Sequence, residues 1–492
     1  MSLAAGRLGA AVLDGAADPV DAIGRQIIDR TPGNLRDRAL GTVGTADKPL
    51  LVAGTVLVVL VLGAAIGLLN RNHRRRANAA VAALWTVGAA AVATVPGTTG
   101  PAAVLLAAGA GLVGILVLDL LSAPGRPAGA REPLDRAGHE PGTPSRRAFL
   151  GRTAGVLALA GAALAAGNLL GARALSGARG VLPVAGRRAA RPTEPTPISG
   201  RTRLVTATAA LYRIDTALSV PAVDPDGWKL TVSGLVDRQL TFSYAQVLAM
   251  PQMEAWITLG CVGNVVGGDL VGTPLWQGVL LADLLHAAGV QPGATQLVGR
   301  SVDGYTGAFP VRLALDGRDA LLALGVNGEV LPPDHGFPAR LVVPGLYGYE
   351  SAVKWITEIQ LADDSYRPYW VRRGYSPYAE FRTQSRIDVP GTGSVLGAGP
   401  MTVAGMAWSP HRGLQAVELQ VDGGGWTAAA LDPDRLGPDA WRSWSARLDL
   451  PPGQHAIAVR ATDGKGQVQP AEPRAVLPDG ATGHHTVQVQ VA

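Results

Sequence analysis

The sequence predicts three structural classes in succession: an N-terminal helical membrane anchor of about four transmembrane helices, an α+β domain, and a C-terminal all-β sandwich. Three observations carry this. The apolar excess lies in the first 175 of 492 residues. Short strands, Gly/Pro turns and short helices alternate from about 204 to 388, without a run of βαβ units. From 389 to 492 only strand patterns remain. A chain of this length predicts about three regions. Hydrophobic residues are 47% and charged residues 16%, too apolar for an ordinary soluble enzyme. The net charge of +5 comes from arginines beside apolar segments rather than from a basic stripe, which argues against nucleic acid as a partner.

Residues 50–69, 79–95, 102–121 and 153–171 are the four candidate spans, the last the weakest. Segment 1–49 has mixed charge; DPVDAIGRQIIDR predicts a short amphipathic helix with Val20, Ile23, Ile27 and Ile28 on one side. The first dozen residues are apolar but too short to span, and fit the remnant of a further helix or a misassigned start. Asp119, near the end of the third span, is placed to reach the interface. No histidine lies inside the spans, so they offer no paired imidazoles for a haem, and no mid-bilayer charge suggests transport. The spans anchor the chain in lipid.

Orientation follows from arginine placement. Arg71, Arg74, Arg75 and Arg76 follow the first span, and Arg126, Arg131, Arg136, Arg146, Arg147 and Arg152 follow the third, whereas the turn PGTTGP has none. The positive-inside rule puts both basic loops in the cytoplasm, and residues 1–49 and everything after 171 outside. Against this, 172–203 carries seven arginines and one acid, so a cytoplasmic C-terminal half stays open if 153–171 does not span. SRRAFLG (145–151) before the fourth segment resembles a twin-arginine export signal and favours the extracytoplasmic side of a bacterial cell membrane. The Pro/Gly/Arg-rich stretch 172–203 is predicted to be an extended linker.

Cys261 is the only cysteine, so no intrachain disulfide exists. It stands in TLGCVGN (258–264), at the end of an apolar strand pattern and before a glycine-rich loop. Two readings stand: a small buried core residue, or a thiolate serving as nucleophile or metal ligand. FSYAQVLAM predicts a helix entered through Ser243, and LLADLLHAAGV one ending at Gly289.

LYRIDTALSVP, VSGLVDR, TLGCVGN, a following tryptophan, RSVDGY, VNGEVLPPDHGFPARLVVPGLYGYESAVKW and TQSRID occur in that order. Together they resemble the sulfite oxidase family of molybdopterin-dependent oxidoreductases, in its membrane-anchored bacterial branch, over about 204–492. The resemblance implies that 204–388 is the molybdopterin-binding oxidoreductase domain. It implies molybdenum held by one pyranopterin dithiolene and by Cys261 as metal ligand. It implies that Tyr212, Arg213 and Asp215 wrap the pterin, that Asp303 contacts its ring, and that His335, Arg340 and Lys354 contact the pterin and its phosphate. Such chemistry suits these side chains: a soft thiolate for a sulfur-bound metal, arginine and lysine for a phosphate. Each also has an ordinary reading, Asp303 as turn residue, His335 as loop cap, Lys354 as solvated charge. Arg213 is the candidate cationic substrate contact beside the catalytic Cys261, and Trp276 is a wall of the substrate funnel or a core residue.

Two features depart from the resembled family. Val265 and Val266 replace a pair of arginines, and Leu324 replaces the active-site tyrosine. A pocket without them suits a small dianion poorly, so the expected reaction is oxygen-atom transfer on a small substrate other than sulfite. The alternative is a non-catalytic membrane-anchored scaffold that retains the fold. No haem, iron–sulfur or flavin motif is visible, so a separate electron carrier is expected. The strands from 389 to 492 predict an immunoglobulin-like sandwich, which the resemblance makes a homodimerisation domain. His484 and His485, adjacent on a strand, are expected at the surface, facing opposite ways.

Overall fold

A computed structural model describes residues 2–12, 18–31, 47–70, 72–95, 100–122, 146–176, 182–195 and 197–492. The basic loop from 123 to 145 lies outside the described residues, as do the side chains of Arg146 and Arg147. Two compact units result: Met1–Ser176 with Ala217–Ala222, and Gly177–Thr216 with Val223–Ala492.

The first unit is helical: α1 (Ser2–Val12), α2 (Pro19–Arg30), α3 (Asp47–Asn70), α4 (Arg74–Ala93), α5 (Gly100–Ser122) and α6 (Arg146–Ser176). Among the described residues, four stretches are long and apolar enough to cross a membrane: Leu50–Asn70, Arg74–Ala93, Val104–Leu121 and Leu150–Gly167. Helix α2 is the amphipathic segment, opened by Asp18, whose carboxylate accepts the Val20 N–H at 2.8 Å, with Pro19 in the first turn. It packs on α3 and α4, and α1 packs on α5 and α6. The second and fourth helices extend beyond the apolar runs into their arginine-rich flanks, since arginine is a good helix former. Asp119 pairs with Arg74 at 2.9 Å, joining α4 to α5.

The second unit contains the strands. One mixed sheet has the order β2-β1-β12-β7-β8, from β1 (Lys229–Gly234), β2 (Leu240–Ser243), β7 (Gln296–Ser301), β8 (Thr306–Pro310) and β12 (Ile356–Ala362). Only β1 and β12 are parallel within it. A second sheet has the order β10-β9-β6-β3, from β3 (Met253–Trp256), β6 (Leu275–Leu280), β9 (Leu321–Val326) and β10 (Glu329–Val330), with β11 (Arg340–Val342) on β9. Strands β4 (Leu259–Gly260) and β5 (Val271–Gly272) make a separate ribbon. The short helices are α7 (Tyr244–Leu248), α8 (Leu281–Ala288) and α9 (Gly348–Ser351). Helix α7 carries the reciprocal cap between Ser243 and Gln246, and α8 stops at Gly289, as the sequence predicts.

Two further sheets share one core. The first is β13 (Gln384–Val389), β15 (Gly399–Trp408), β19 (Arg442–Leu450) and β18 (Ala430–Leu431). The second is β14 (Ser394–Leu396), β21 (His485–Val491), β20 (Gly453–Asp463), β16 (Leu414–Val421) and β17 (Trp426–Ala428). Val403, Ala407 and Trp444 of the first meet Val417, Leu419, Ile457, Val459 and Val487 of the second.

Three expectations need correction. The break at 388/389 falls inside β13, whose residues from Gln384 onward already pair with β15. The sandwich is also not a separate body: Met406, Trp408, Leu436 and Trp441 belong to the same buried core as the α+β layers. Trp441 Nε1 donates to Leu204 O at 2.6 Å, and its N–H to Thr258 Oγ1 at 2.7 Å. Finally, the part of the linker from 182 to 203 is not a free spacer. Gly186 N–H donates to Gln252 O at 2.9 Å, and Arg187 bridges β3 in parallel. Arg191 grips Glu254 through two nitrogens at 3.0 Å each. The edge of β3 offers unpaired backbone groups and a carboxylate, and the extended, Arg-rich stretch satisfies both.

Candidate active site

Cys261 leaves β4 into a loop that returns through β5. Its N–H donates to Leu270 O at 2.9 Å and its carbonyl accepts the Asn264 N–H at 3.0 Å. Asn264 closes the loop by accepting the Leu270 N–H at 2.9 Å through Oδ1. The Gly263 N–H points at Cys261 Sγ at 3.3 Å. Burial pushes the thiol up to about 11, the Gly263 N–H opposing. An activated nucleophile would be held below its ordinary value, so the free-thiolate reading finds no support.

The segment after Leu211 supplies the neighbours. The Tyr212 phenol is raised well above its ordinary value, first by burial, then by Cys261, with Arg340 opposing, so the three share one electrostatic environment. Asp215 is not open for a ligand. Lys354 Nζ donates to its Oδ2 at 2.6 Å and Arg213 Nε at 3.3 Å, which makes it the counter-ion of both. The Arg213 side chain keeps 40% of its surface exposed.

Arg340, Lys354 and His335 converge around Gly336. At φ +111° that residue adopts a backbone conformation open to glycine, and an added Cβ would lie 3.1 Å from the Cβ atoms of both Arg340 and Lys354. Arg340 is 5% exposed. Its Nη1 donates to His335 O at 3.0 Å and its Nη2 to Ala352 O at 3.4 Å, while Nε is buried without a hydrogen-bond partner. Burial lowers its pKa to about 10. Lys354 also donates to Asp334 O at 2.9 Å, and burial brings it down to about 8 despite Asp215. Trp355, next in sequence, has φ +50°, held by Nε1 donating to Pro333 O at 2.7 Å. That turn aims Lys354 inward. Burial, then the charges of Arg340, Lys354 and Arg213, hold His335 down at about 4, with Asp334 opposing, so its imidazole is neutral near neutral pH.

Asp303 fulfils its turn reading, accepting the Tyr305 N–H at 3.1 Å, and also accepts the Thr216 hydroxyl at 3.1 Å, one residue from Asp215. Trp276 is not a funnel wall. It is fully buried, its Nε1 donates to Ile257 O at 3.2 Å, and its ring lies 5.0 Å beneath the Arg340 guanidinium. Leu324 is likewise fully buried in β9, whereas Val265 is 57% exposed. His484 and His485 do face different partners, but both are half-buried rather than superficial: His484 Nε2 lies 3.1 Å from Gln469 O, and His485 Nδ1 accepts the Ile387 N–H at 3.0 Å.

Sequence reasoning missed three side chains. Tyr305 and Tyr347 are both raised in part by Cys261, after burial, and the Tyr305 hydroxyl donates to Tyr349 O. Glu350 is 0% exposed, with Oε2 accepting the Ala308 N–H and Oε1 unpartnered. Both tyrosines and Glu350 stand inside the motifs RSVDGY and GLYGYESAVKW. Among the described residues no group of three or more His, Cys, Asp or Glu could hold a metal ion.

Residues 217–370 match the family model of the oxidoreductase molybdopterin binding domain. The mitochondrial sulfite oxidase of Homo sapiens is 33% identical over 301 residues, covering 51% of this chain and 55% of that protein. Nitrate reductase [NADH] 1 of Arabidopsis thaliana is 30% identical over 318 residues, covering 51% of this chain and 34% of that one. The chain thus spans only part of the length of the curated relatives it matches. Among solved structures, the sulfane dehydrogenase SoxCD from Paracoccus pantotrophus superposes with a TM-score of 0.52 at 25% identity, over 58% of this chain and 81% of that one. These likenesses fall on the residues that bring a lone cysteine near a buried cationic cluster: residues 217–370 form an oxidoreductase molybdopterin binding domain of the type found in the sulfite oxidases.

Proposed function

We propose that the chain is a membrane-anchored molybdopterin oxidoreductase that transfers an oxygen atom to or from a small substrate other than sulfite. The observation that carries the reading is the unpartnered, buried Arg340 Nε near Lys354, with Tyr212 in the field of both Arg340 and the only cysteine. A buried guanidinium with an unmet donor calls for an anion. Arg340 and Lys354 would hold the cofactor phosphate, and neutral His335 with Asp303 the pterin ring. Tyr212 would flank the pterin, and Asp215 would fix Lys354 and Arg213. Cys261, a poor thiolate by itself, becomes one as ligand to the metal. The bound cofactor supplies two-electron oxygen-atom transfer, and the protein supplies position and electrostatics. Arg213, paired but open to solvent, orients an anionic or polar substrate. Val265 and Leu324 offer neither charge nor hydroxyl, which disfavours a small dianion; the relatives' own names already span sulfite, sulfane and nitrate.

Membrane anchoring rests on the four apolar helices, and the outward orientation on the arginine loops. Three of the seven arginines that opposed it have another use. Arg187 pairs with Asp319, Arg191 with Glu254 and Arg201 with Asp432 inside the folded unit, so they are not free juxtamembrane charges. The twin-arginine signal, a separate electron carrier and a homodimer through an immunoglobulin-like sandwich complete the proposal.

Metal and pterin analysis of the purified full-length chain tests it. About one molybdenum per chain, lost in Cys261→Ser with the fold intact, is expected. A wild type free of metal and pterin would overturn the reading in favour of a scaffold.

A further inference from the structure

The loop that carries Cys261 is held from outside its own domain. Arg386, on β13, is 8% exposed and reaches three ways. Its Nη1 donates to Gly268 O at 2.6 Å, its Nε to Asp388 Oδ1 at 2.7 Å and its Nη2 to Thr202 Oγ1 at 2.9 Å. His485, the first residue of β21, stands beside it. Since His485 Nδ1 accepts the Ile387 N–H, its proton is on Nε2. The ring lies flush against Gly267, where an added Cβ would overlap it. Gly267 itself has φ +79°. Between these contacts the turn 265–268 closes by Gly268 N–H donating to Val265 O at 2.9 Å. Val265 is the exposed residue where family members carry an arginine, and Asn264, just before it, locks Cys261.

We infer that Arg386 and His485 are positioning residues of the active site: the C-terminal sandwich, through these two side chains, fixes the turn 265–268 and thereby the placement of Cys261 and Val265. The sandwich then supports the site as well as sharing its core. A charge-assisted hydrogen bond to a buried carbonyl, backed by two fixed partners, resists movement of the turn far more than loop contacts alone. The inference rests on Cys261 being the working residue, but its test does not require the cofactor.

As the sole thiol, Cys261 reports on its own loop. The full-length chain, prepared free of cofactor, is labelled with an aromatic disulfide at pH about 8, below its melting transition. Arg386→Ala and Gly267→Ala approach the contact from opposite sides. Each is expected to raise the labelling rate about tenfold or more, the equivalent of one charge-assisted hydrogen bond. The double variant should be no faster than the quicker single one, because both release the same turn. Arg386→Lys, which keeps the charge and one donor, should fall between wild type and Arg386→Ala, and it serves if the alanine variant does not fold. Rates within about twofold of wild type in Arg386→Lys and Gly267→Ala, or effects that multiply in the double variant, would overturn the inference. A metal-free wild type would defeat the functional proposal and leave this result standing.

Discussion

Arg340→Met separates a binding residue from a structural one. In the cofactor-free chain Arg340 is a buried charge with incomplete compensation. Burial lowers its pKa to about 10, which corresponds to about 3 kcal/mol against the charged form. Methionine removes that cost and can lie against Trp276 with its thioether. It also leaves two buried carbonyls, of His335 and Ala352, without a donor. Each such loss costs about 1–3 kcal/mol, and the 3.4 Å bond to Ala352 sits at the low end. The terms nearly cancel, so the cofactor-free variant should melt within about 5 °C of wild type. Cofactor retention should behave differently. Losing one or two charge-assisted bonds to a phosphate weakens binding by about 10- to 100-fold or more. Scanning calorimetry of the cofactor-free chain and molybdopterin content of the purified protein are the two measurements. A fall of more than about 10 °C with unchanged cofactor content would show that Arg340 is structural and would refute the reasoning.

Two further outcomes follow from the same geometry. Burial raises Glu350 well above the ordinary carboxylate range, so the folded state holds its proton where the unfolded state has released it. Its contribution to stability therefore falls as pH rises above the ordinary carboxylate value, and Glu350→Gln, an isostere of the protonated acid, should be at least as stable as wild type at pH about 8. The difference should shrink toward pH about 5, and thermal melts across that range check it. Trp441→Ala removes a 2% exposed indole and its bond to Leu204 O. A loss of about 3–5 kcal/mol is expected in urea unfolding, with the sandwich and the α+β layers melting together, because they share one core. Two separate transitions would show that they do not.

Much of the local structure was legible in the sequence. Uninterrupted apolar runs mark the four long helices, since crossing hydrocarbon needs length and apolarity and little else. Ser243 and Gly289 mark the ends of α7 and α8 because capping is settled within a few residues. The candidate site residues stand in motifs that follow one another in order, and the structure gives Tyr212 a shared environment with Cys261 and Arg340, and Arg340 one with Lys354 and His335. Composition misled where only a partner gives a residue its meaning. The proline-rich stretch after 182 looks like a spacer until Glu254 and the edge of β3 are brought to it. Trp276, Tyr305 and Tyr347 have no periodicity that says which neighbour they meet.

The sequence by itself determined which residues can do chemistry here: one thiol, a set of cations, and two valines and a leucine where charge and hydroxyl are expected. Only the tertiary structure decided what each of them does. Asp215 became a counter-ion, Trp276 a support for Arg340, and Arg386 an anchor for a carbonyl 118 residues away. Capping and hydropathy act over a few residues and can be read along the chain. Burial, ion pairing and loop anchoring depend on surfaces that meet only after folding, and those contacts set the charge and position of every group around Cys261.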